Sequence, residues 1–311
     1  MIKDVSTYSD ADLRCELETL IADHFAANRG SQTSVPGLTV GWIAEAVPPT
    51  SHMAEASVCI CVRGSRKLIL GETVHVHEPD QYLLNEIGLP TIVTIEEASP
   101  DNPYVALRID LDLNLARQVM AEIDIRPPQT AQSPASMSFA MIDRAFLDAV
   151  TRLVRLINAS GDISFLSSLI HREILYRLLS GPSGNRLKQI VLLGSQGNRV
   201  AKAAAWLREH FAERLSIDQL ASMAGMGIST LHRHFHDFTG MSPVQYQKHL
   251  RLHEARRLML EEDTDVGSTA LLVGYESSTQ FIREYRRLFG APPFRHTAVL
   301  RATGRRNSLV V

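Results

Sequence analysis

At 311 residues the chain is longer than one compact core usually holds, so two domains are expected. With 45% hydrophobic and 21% charged residues it is not extensively disordered, and no apolar run approaches the roughly 18 residues of a membrane span. The net charge of −2 is unevenly placed: residues 196–311 hold 16 Lys and Arg against 11 Asp and Glu, and the first 195 hold 16 against 23. That asymmetry points to a phosphate-binding C-terminal part on an acidic N-terminal one. The opening Met1-Ile-Lys-Asp-Val lacks the apolar stretch of a signal peptide. Cys15, Cys59 and Cys61 fit neither a zinc spacing nor a disulfide framework. A cytoplasmic location is expected, with no membrane partner.

From Ala11 to about Phe25, Leu13, Leu17, Leu20 and Ile21 recur at helical spacing, and Ser9 with Asp12 forms a capping box ahead of them. After Gly30 the pattern turns to short β runs: Leu38–Ile43, Ser57–Val62, Lys67–Leu70, Thr73–His77, Tyr82–Leu84, Thr91–Glu96 and Tyr104–Ile109. Gly and Pro punctuate them, with a two-residue hairpin turn expected at Gly71-Glu72. Such strands suit a small antiparallel barrel or sandwich, whose interior is either filled by side chains or holds one small ligand. Helices are predicted at about Ala140–Asn158 and Asp162–Ser180, the second stopped by Gly181-Pro182. Its stripe of Ile163, Leu166, Ile170, Ile174 and Leu178 reads equally as core packing or as a dimerisation face. Gly181-Pro-Ser-Gly-Asn185 and Gly194-Ser-Gln-Gly-Asn198 read as a linker region around a short apolar segment, Leu187–Leu193.

Beyond it the chain repeats itself at an offset of fifty residues. Leu220–Phe235 can be laid on Ala270–Tyr285, so that Arg233 falls on Arg283, Phe235 on Tyr285, Gly240 on Gly290 and Pro243 on Pro293. Each copy has a glycine, Gly225 or Gly274, in the turn between two short helices. After a helix Ala201–Phe211, unit one runs from the N-cap Ser216 through Met223, the turn Ala224–Gly227 and the helix Ile228–Phe238. Leu231, Phe235 and Phe238 form its core face, leaving Ser229, Thr230, His232, Arg233 and His236 outward. Unit two has a first helix Gly267–Val273, a turn Gly274–Ser277 and a second helix Ser278–Leu288. There Phe281, Tyr285 and Leu288 face the core and Thr279, Gln280, Arg283 and Arg287 face out. Short polar groups near a helix N-terminus, followed by long donors one turn on, are what a helix laid in the major groove needs. The long helix Pro243–Leu260 between the units carries Lys248, Arg251, Arg256 and Arg257. At about 1.5 Å per residue it spans about 27 Å, which suits two helices held about 34 Å apart, one turn of DNA.

The segment from about Arg199 to Arg301 resembles the DNA-binding domain of the AraC/XylS family of bacterial transcription regulators. The marks are Val273-Gly-Tyr-Glu-Ser277, Gln280-Phe281, Arg283-Glu-Tyr-Arg-Arg-Leu-Phe-Gly290 and Pro293, with Phe238-Thr-Gly-Met-Ser-Pro243, Tyr246 and Arg251 through Leu260. The stretch from Val35-Pro-Gly-Leu38 to Ala106-Leu-Arg-Ile-Asp110 resembles the cupin-like regulatory domain of one branch of that family. The resemblance implies an α+β chain: an N-terminal cupin-like antiparallel β-barrel with accessory helices, then an all-α domain of two helix-turn-helix units joined by a long helix. The expected divisions are an N-terminal helical extension at 1–33, the barrel at 34–112, accessory or dimerisation helices at 113–181 and a linker at 182–198. The DNA-binding domain follows at 199–301, with units at 216–238 and 266–289, and then a basic tail at 302–311. The family's base-contacting positions fall on Ser229, Thr230, His232, Arg233, Thr279, Gln280 and Arg283. His236, Lys248, Arg251 and Arg287 are phosphate candidates. The expected partners are double-stranded DNA, RNA polymerase, a small-molecule effector and a second copy of the chain, with activation the family's commoner habit. Gly227 departs from the family's Ser N-cap, and His296 stands where Tyr or Phe often follows the proline.

Two alternatives compete. One is a cupin-type metal-dependent enzyme fused to a DNA-binding domain, suggested by His75-Val-His77 on one strand face with His52 nearby. No Glu and later His complete the usual cupin motif, so neither a metal nor a cofactor nor an enzymatic activity is expected. The other is a pure protein-interaction module. Cys59 and Cys61 share a strand face and read as buried core. His232, His234 and His236 diverge on a helix, only the first and third sharing a face.

Overall fold

The capping box at Ser9 starts the first helix: the Ser9 amide donates to Asp12 Oδ2 at 2.7 Å, and Asp12 N donates back to Ser9 Oγ at 3.2 Å. In the computed structural model this helix, α1, runs Asp10–Asn28, and the structure describes residues 9–28, 30–70, 73–123, 137–192 and 194–302. The Gly71-Glu72 turn and the basic tail beyond 302 lie outside the described residues.

Nine strands follow: β1 Leu38–Ile43, β2 Val47–Ala54, β3 Ser57–Arg63, β4 Arg66–Leu70, β5 Thr73–His77, β6 Gln81–Asn85, β7 Leu89–Ile95, β8 Tyr104–Asp110 and β9 Met137–Met141. They make two antiparallel sheets, ordered β1-β8-β3-β6-β9 and β2-β7-β4-β5. The two-residue period of a strand divides the first sheet between two cores. Val40, Val58, Ile60, Leu84, Leu107 and Ile109 pack outward against helices, while Cys59, Cys61, Leu83 and Ala106 pack inward with Leu68, Leu89 and Val93 of the second sheet. Side chains of both sheets pack the described interior. Beside Cys59, Asn85 and Arg66 only about 10 Å³ is open, no more than one water requires.

Two strands escape the sequence pattern. In β2, Pro48 and Pro49 read as breakers, and the ladder with β7 does shift register between Val47 and Thr50 before resuming through Ala54. β9 pairs with β6 at the sheet edge, where a helix from Ala140 was expected. That helix, α3 (Arg144–Arg155), begins only after Asp143 caps Phe146 N.

A further helix, α2 (Leu113–Glu122), was not predicted; α4 (Ile163–Ser180) was. On α4, Ile170, Ile174 and Leu178 of the expected stripe are buried and Ile163 is half-buried, while its Leu166 is exposed beside a row of Phe165, Leu169 and Tyr176. Gly181 ends α4 in an extended conformation (φ −82°, ψ −178°) rather than the expected left-handed one; a Cβ there would meet Arg177 O at 2.9 Å.

The expected linker at 182–198 is instead structure. α5 (Gly184–Val191) buries Leu187, Ile190 and Val191, and α6 (Gln196–Glu209) begins at the cap Ser195. Apolar Leu187, Ile190 and Val191 were visible in the sequence, but the flanking glycines outweighed them. Then come α7 (Ile217–Met223), α8 (Ile228–Thr239), α9 (Pro243–Glu261), α10 (Val266–Leu272), α11 (Ser278–Phe289) and α12 (Pro293–Ala302). This helical part sits against the second sheet. Tyr246 OH donates to Gly88 O at 2.7 Å, Arg256 Nη1 donates to Ser51 O at 2.5 Å, and Ser51 Oγ lies 3.1 Å from His253 Nε2. Buried Glu86 pairs with Arg186 at 3.3 Å, and that guanidinium lies 4.9 Å from the Phe238 ring centre on α8.

Candidate nucleic-acid interface

Each unit is set by its caps and its turn glycine. Ser216 accepts from Gln219 N ahead of α7, and Asp265 accepts from Gly267 N and Ser268 N ahead of α10. Gly225 (φ +63°) and Gly274 (φ +83°) take the left-handed conformation that the tight turn demands. They are not equivalent. A Cβ at Gly225 meets nothing within 4 Å, whereas one at Gly274 would lie 2.1 Å from Ala212 O. Gly227 starts α8 without a side-chain cap, and Ser277 caps α11 through Gln280 N.

The apolar stripes point inward as predicted. Leu231, Phe235 and Phe238 are buried on α8, as are Phe281 and Tyr285 on α11, with Leu288 half-buried. His296 takes the place of the family's aromatic residue by stacking on Phe289 and lying 3.0 Å from the Tyr285 hydroxyl through Nδ1.

Opposite those stripes the structure exposes Ser229, His232, Arg233 and His236 on α8 and Thr279, Gln280, Arg283 and Arg287 on α11; Thr230 is half-buried. Arg283 and Arg287 have no ion pair among the described residues, so their charge is available to an incoming phosphate or guanine. His234 is buried, and desolvation holds its pKa below the ordinary imidazole value.

One phosphate candidate is corrected. Arg251 is committed inside the protein: Nε donates to Phe211 O at 2.7 Å, Nη1 to Gly274 O at 2.8 Å, and Nη2 to Glu213 O at 2.7 Å and Ala212 O at 3.3 Å. The carbonyls belong to the start of the α6–α7 connection and to the turn of unit two, so the guanidinium ties that connection to unit two. Lys248 is exposed but paired with Glu284 at 3.1 Å. Glu284, which sequence reasoning passed over, also accepts from Tyr275 OH at 2.9 Å and Gln280 Nε2 at 3.2 Å. Its signal was the four-residue spacing from Gln280 on one helix face.

The histidines that suggested a metal are dispersed. His77 is fully buried with Nε2 3.1 Å from Gln81 O, His75 lies against Phe139, and burial drives the His77 and His52 pKa values down to about 3. Among the described residues no three His, Cys, Asp or Glu side chains are grouped to hold a metal ion. Cys59 and Cys61 are buried, and burial raises the Cys61 thiol to about 12.

A cavity of about 410 Å³ lies where the second sheet meets α9. Thr50, His52 and Arg108 border it on one side, and Arg208, His253 and Arg256 on the other. Arg256 is half-buried, with one bond to Ser51 O and its guanidinium 5.1 Å from the Phe289 ring centre. Nothing in the sequence marked this space, because its walls come from residues about two hundred apart. Among the described residues no helix is long and apolar enough to cross a membrane.

Comparison with known proteins agrees with this geometry. The family model described as AraC-type transcriptional regulator N-terminus matches residues 34–186, and one described as helix-turn-helix domain matches residues 220–296. The HTH-type transcriptional activator RhaS of Salmonella schwarzengrund (strain CVM19633) is 32% identical over 234 residues, covering 74% of this chain and 77% of that protein. Among solved structures, unsaturated fatty acid-bound ToxT from Vibrio cholerae strain SCE256 superposes with a TM-score of 0.54 at 9% identity, over 84% of this chain and 94% of that one. ToxT from Vibrio cholerae O395, bound to (E)-4-(8-methylnaphthalen-1-yl)but-3-enoic acid, gives 0.57 at 10% identity, over 85% and 98%. At those identities the likeness is one of fold.

Proposed function

The chain belongs to the AraC-type family of transcriptional regulators and is a DNA-binding regulator of transcription; we propose that it reads two successive major-groove faces with α8 and α11, through Ser229, Thr230, His232, Arg233, Thr279, Gln280 and Arg283. The observation that carries this is the pair of recognition helices, buried on one side and polar on the other, held on one helix, α9. The 19 residues of α9 span about 28 Å, near the 34 Å of one turn of DNA. His236, Lys248 and Arg287 would contact phosphates. In this reading residues 199–301 form the DNA-binding domain and the barrel with its accessory helices receives the signal.

The signal is a small molecule, and the space between the domains is where it enters, since side chains pack the described barrel interior. Arg208 and Arg256 have no carboxylate partner among the described residues, which favours an acidic compound. RNA polymerase is the other macromolecular partner, activation the outcome, and the cytoplasm the location; the chain has no enzymatic role. Self-association would use the exposed row Phe165, Leu169 and Tyr176 on α4.

Affinity selection of sheared genomic DNA by the purified protein tests the reading. Enriched sites should carry two short blocks about ten base pairs apart. Sites with a single block, protected over one groove face only, would remove the tandem arrangement.

A further inference from the structure

We propose that Glu284 is a positioning residue that fixes which way round the Gln280 amide faces the DNA, and thereby makes unit two choose adenine over guanine. The proposal rests on Gln280 being base-facing, and its geometry is independent of that. Glu284 sits one turn along α11 from Gln280, with its side chain only 14% exposed. Oε1 receives Gln280 Nε2 at 3.2 Å and Lys248 Nζ at 3.1 Å, and Oε2 receives the Tyr275 hydroxyl at 2.9 Å. Tyr275 is itself packed in place: it is buried, with the Arg251 guanidinium 5.8 Å from its ring centre. The carboxylate is therefore held from three sides. Burial alone would raise its pKa, but the bonds from Gln280, Tyr275 and Lys248 outweigh burial and the value is lowered, so the group is ionised.

An ionised carboxylate only accepts hydrogen bonds. Gln280 must turn its amide nitrogen toward Glu284, which leaves the amide oxygen and the second N–H for the groove. That pair complements adenine, which offers the N6 donor and the N7 acceptor. Guanine offers two acceptors, N7 and O6, and would face the amide oxygen unfavourably. Pairing with both guanine acceptors would need both amide hydrogens, one of which Glu284 holds, and swinging the amide to release it would bring Oε1 against the carboxylate, acceptor against acceptor. Unit one has no such device. The fifty-residue offset puts Thr230 where unit two has Gln280, and His234 where it has Glu284.

The test uses the full-length protein and randomised duplexes, scored for base preference at every position and repeated at several salt concentrations. Gln280→Ala locates the position that Gln280 reads. At that position the wild type should prefer adenine by the about 5- to 150-fold that one bidentate contact supplies. Glu284→Gln, whose amide can either donate or accept, should keep the affinity for adenine within about threefold and shrink the preference to about threefold or less. Tyr275→Phe, which loosens the carboxylate without removing it, should shrink it partway. Adding Glu284→Gln to Gln280→Ala should change nothing further at that position. A rise in affinity for every duplex alike, with the adenine preference intact, would show that Glu284 acts only through its charge and overturn the proposal. If Gln280→Ala alters no position, base reading by Gln280 fails and the proposal falls with it, while reading by Arg233 and Arg283 stands or falls on its own.

Discussion

Arg251→Ala separates two roles for the same cation, a phosphate contact and an internal clamp. Three of its four bonds are 2.7 or 2.8 Å long and the fourth is 3.3 Å, all to main-chain carbonyls. Hydrogen bonds from a charged donor contribute about 1.5–3 kcal/mol each when buried. Arg251 is half-buried, so the lower end applies, and the fourth bond adds little. Removal should cost about 4 kcal/mol, a large share of the about 5–15 kcal/mol that holds a typical domain. Arg251→Lys should recover less than half, because one ammonium cannot span carbonyls on two sides of a planar fork. The assay is urea unfolding followed by tryptophan fluorescence, since Trp206 lies on α6 and stacks on His210 close to these carbonyls. DNA affinity is measured in parallel across a salt series. A clamp predicts a lower urea midpoint with the slope of log K against log salt unchanged. A lost phosphate contact predicts a slope shallower by about 0.9 and an unchanged midpoint. The second result would refute the clamp.

Three further outcomes are expected. Arg233→Ala and Arg283→Ala should each cost about 1–3 kcal/mol on a selected site and relax one base position, as read by competition with single-base variants. Gly225→Ala should cost about 1 kcal/mol, the left-handed penalty alone; Gly274→Ala adds a clash with Ala212 O at 2.1 Å, and should abolish binding by unit two, seen as loss of one protected block in footprinting. Stability should also fall with acid. His52 and His77 are held at about 3, and His249 and His296 at about 4. All four are neutral when folded and protonate on unfolding below their ordinary 6.5, so each contribution is lost as pH falls from 6.5 toward the folded value. Between pH 6.5 and 5 each loses about 2 kcal/mol. Glu86, raised to about 7 by burial, works in the opposite sense. It binds its proton first in the folded state, and returns about 2 kcal/mol between pH 7 and 5. The net loss from these five groups, about 6 kcal/mol, to which buried His253 adds in the same sense, should appear as a steep drop in urea midpoint, and a flat profile from pH 7 to 5 would contradict the buried histidines.

The DNA-binding half was readable because its signals are local. Caps at Ser216 and Ser277, glycines at Gly225 and Gly274, and apolar residues at helical spacing each act within one turn of chain. The barrel strands were readable where turn residues bounded them, and lost where a local rule was overruled. Pro48-Pro49 interrupts β2 in sequence, yet β7 still supplies partners from Thr50 onward. β9 exists because β6 offers an edge, and nothing in Met137–Met141 announces that. The internal bonds of Arg251 escaped the sequence for the same reason. A cation on an otherwise polar helix face reads as solvent-facing, and the carbonyls that claim it lie 23 to 40 residues away in sequence. The outward polar residues of α8 and α11 were found from periodicity, whereas the network around Glu284 needed the position of Tyr275.

The placement of α9 decides what a movement of the barrel can do to DNA binding. Its first half belongs to unit one, where Tyr246 packs edge-on against Phe235 at 5.4 Å. Its second half belongs to unit two, through Leu252, Ala255 and Met259 beneath Phe281 and Tyr285. The barrel holds the same helix at Tyr246, His253 and Arg256, along its length rather than at one end. A continuous helix transmits a push at its middle to both ends. Displacement of the second sheet would therefore tilt both recognition helices together against the DNA, rather than release one of them. Arg251 strengthens this, since its bonds to Phe211 O and Gly274 O tie the middle of α9 to the α6–α7 connection and to the turn of unit two. The cavity beside His52, Arg208 and Arg256 lies at that hold. A compound that binds both walls gains affinity from the docked state alone, and so must shift the docking equilibrium toward it by its differential affinity for docked over undocked protein.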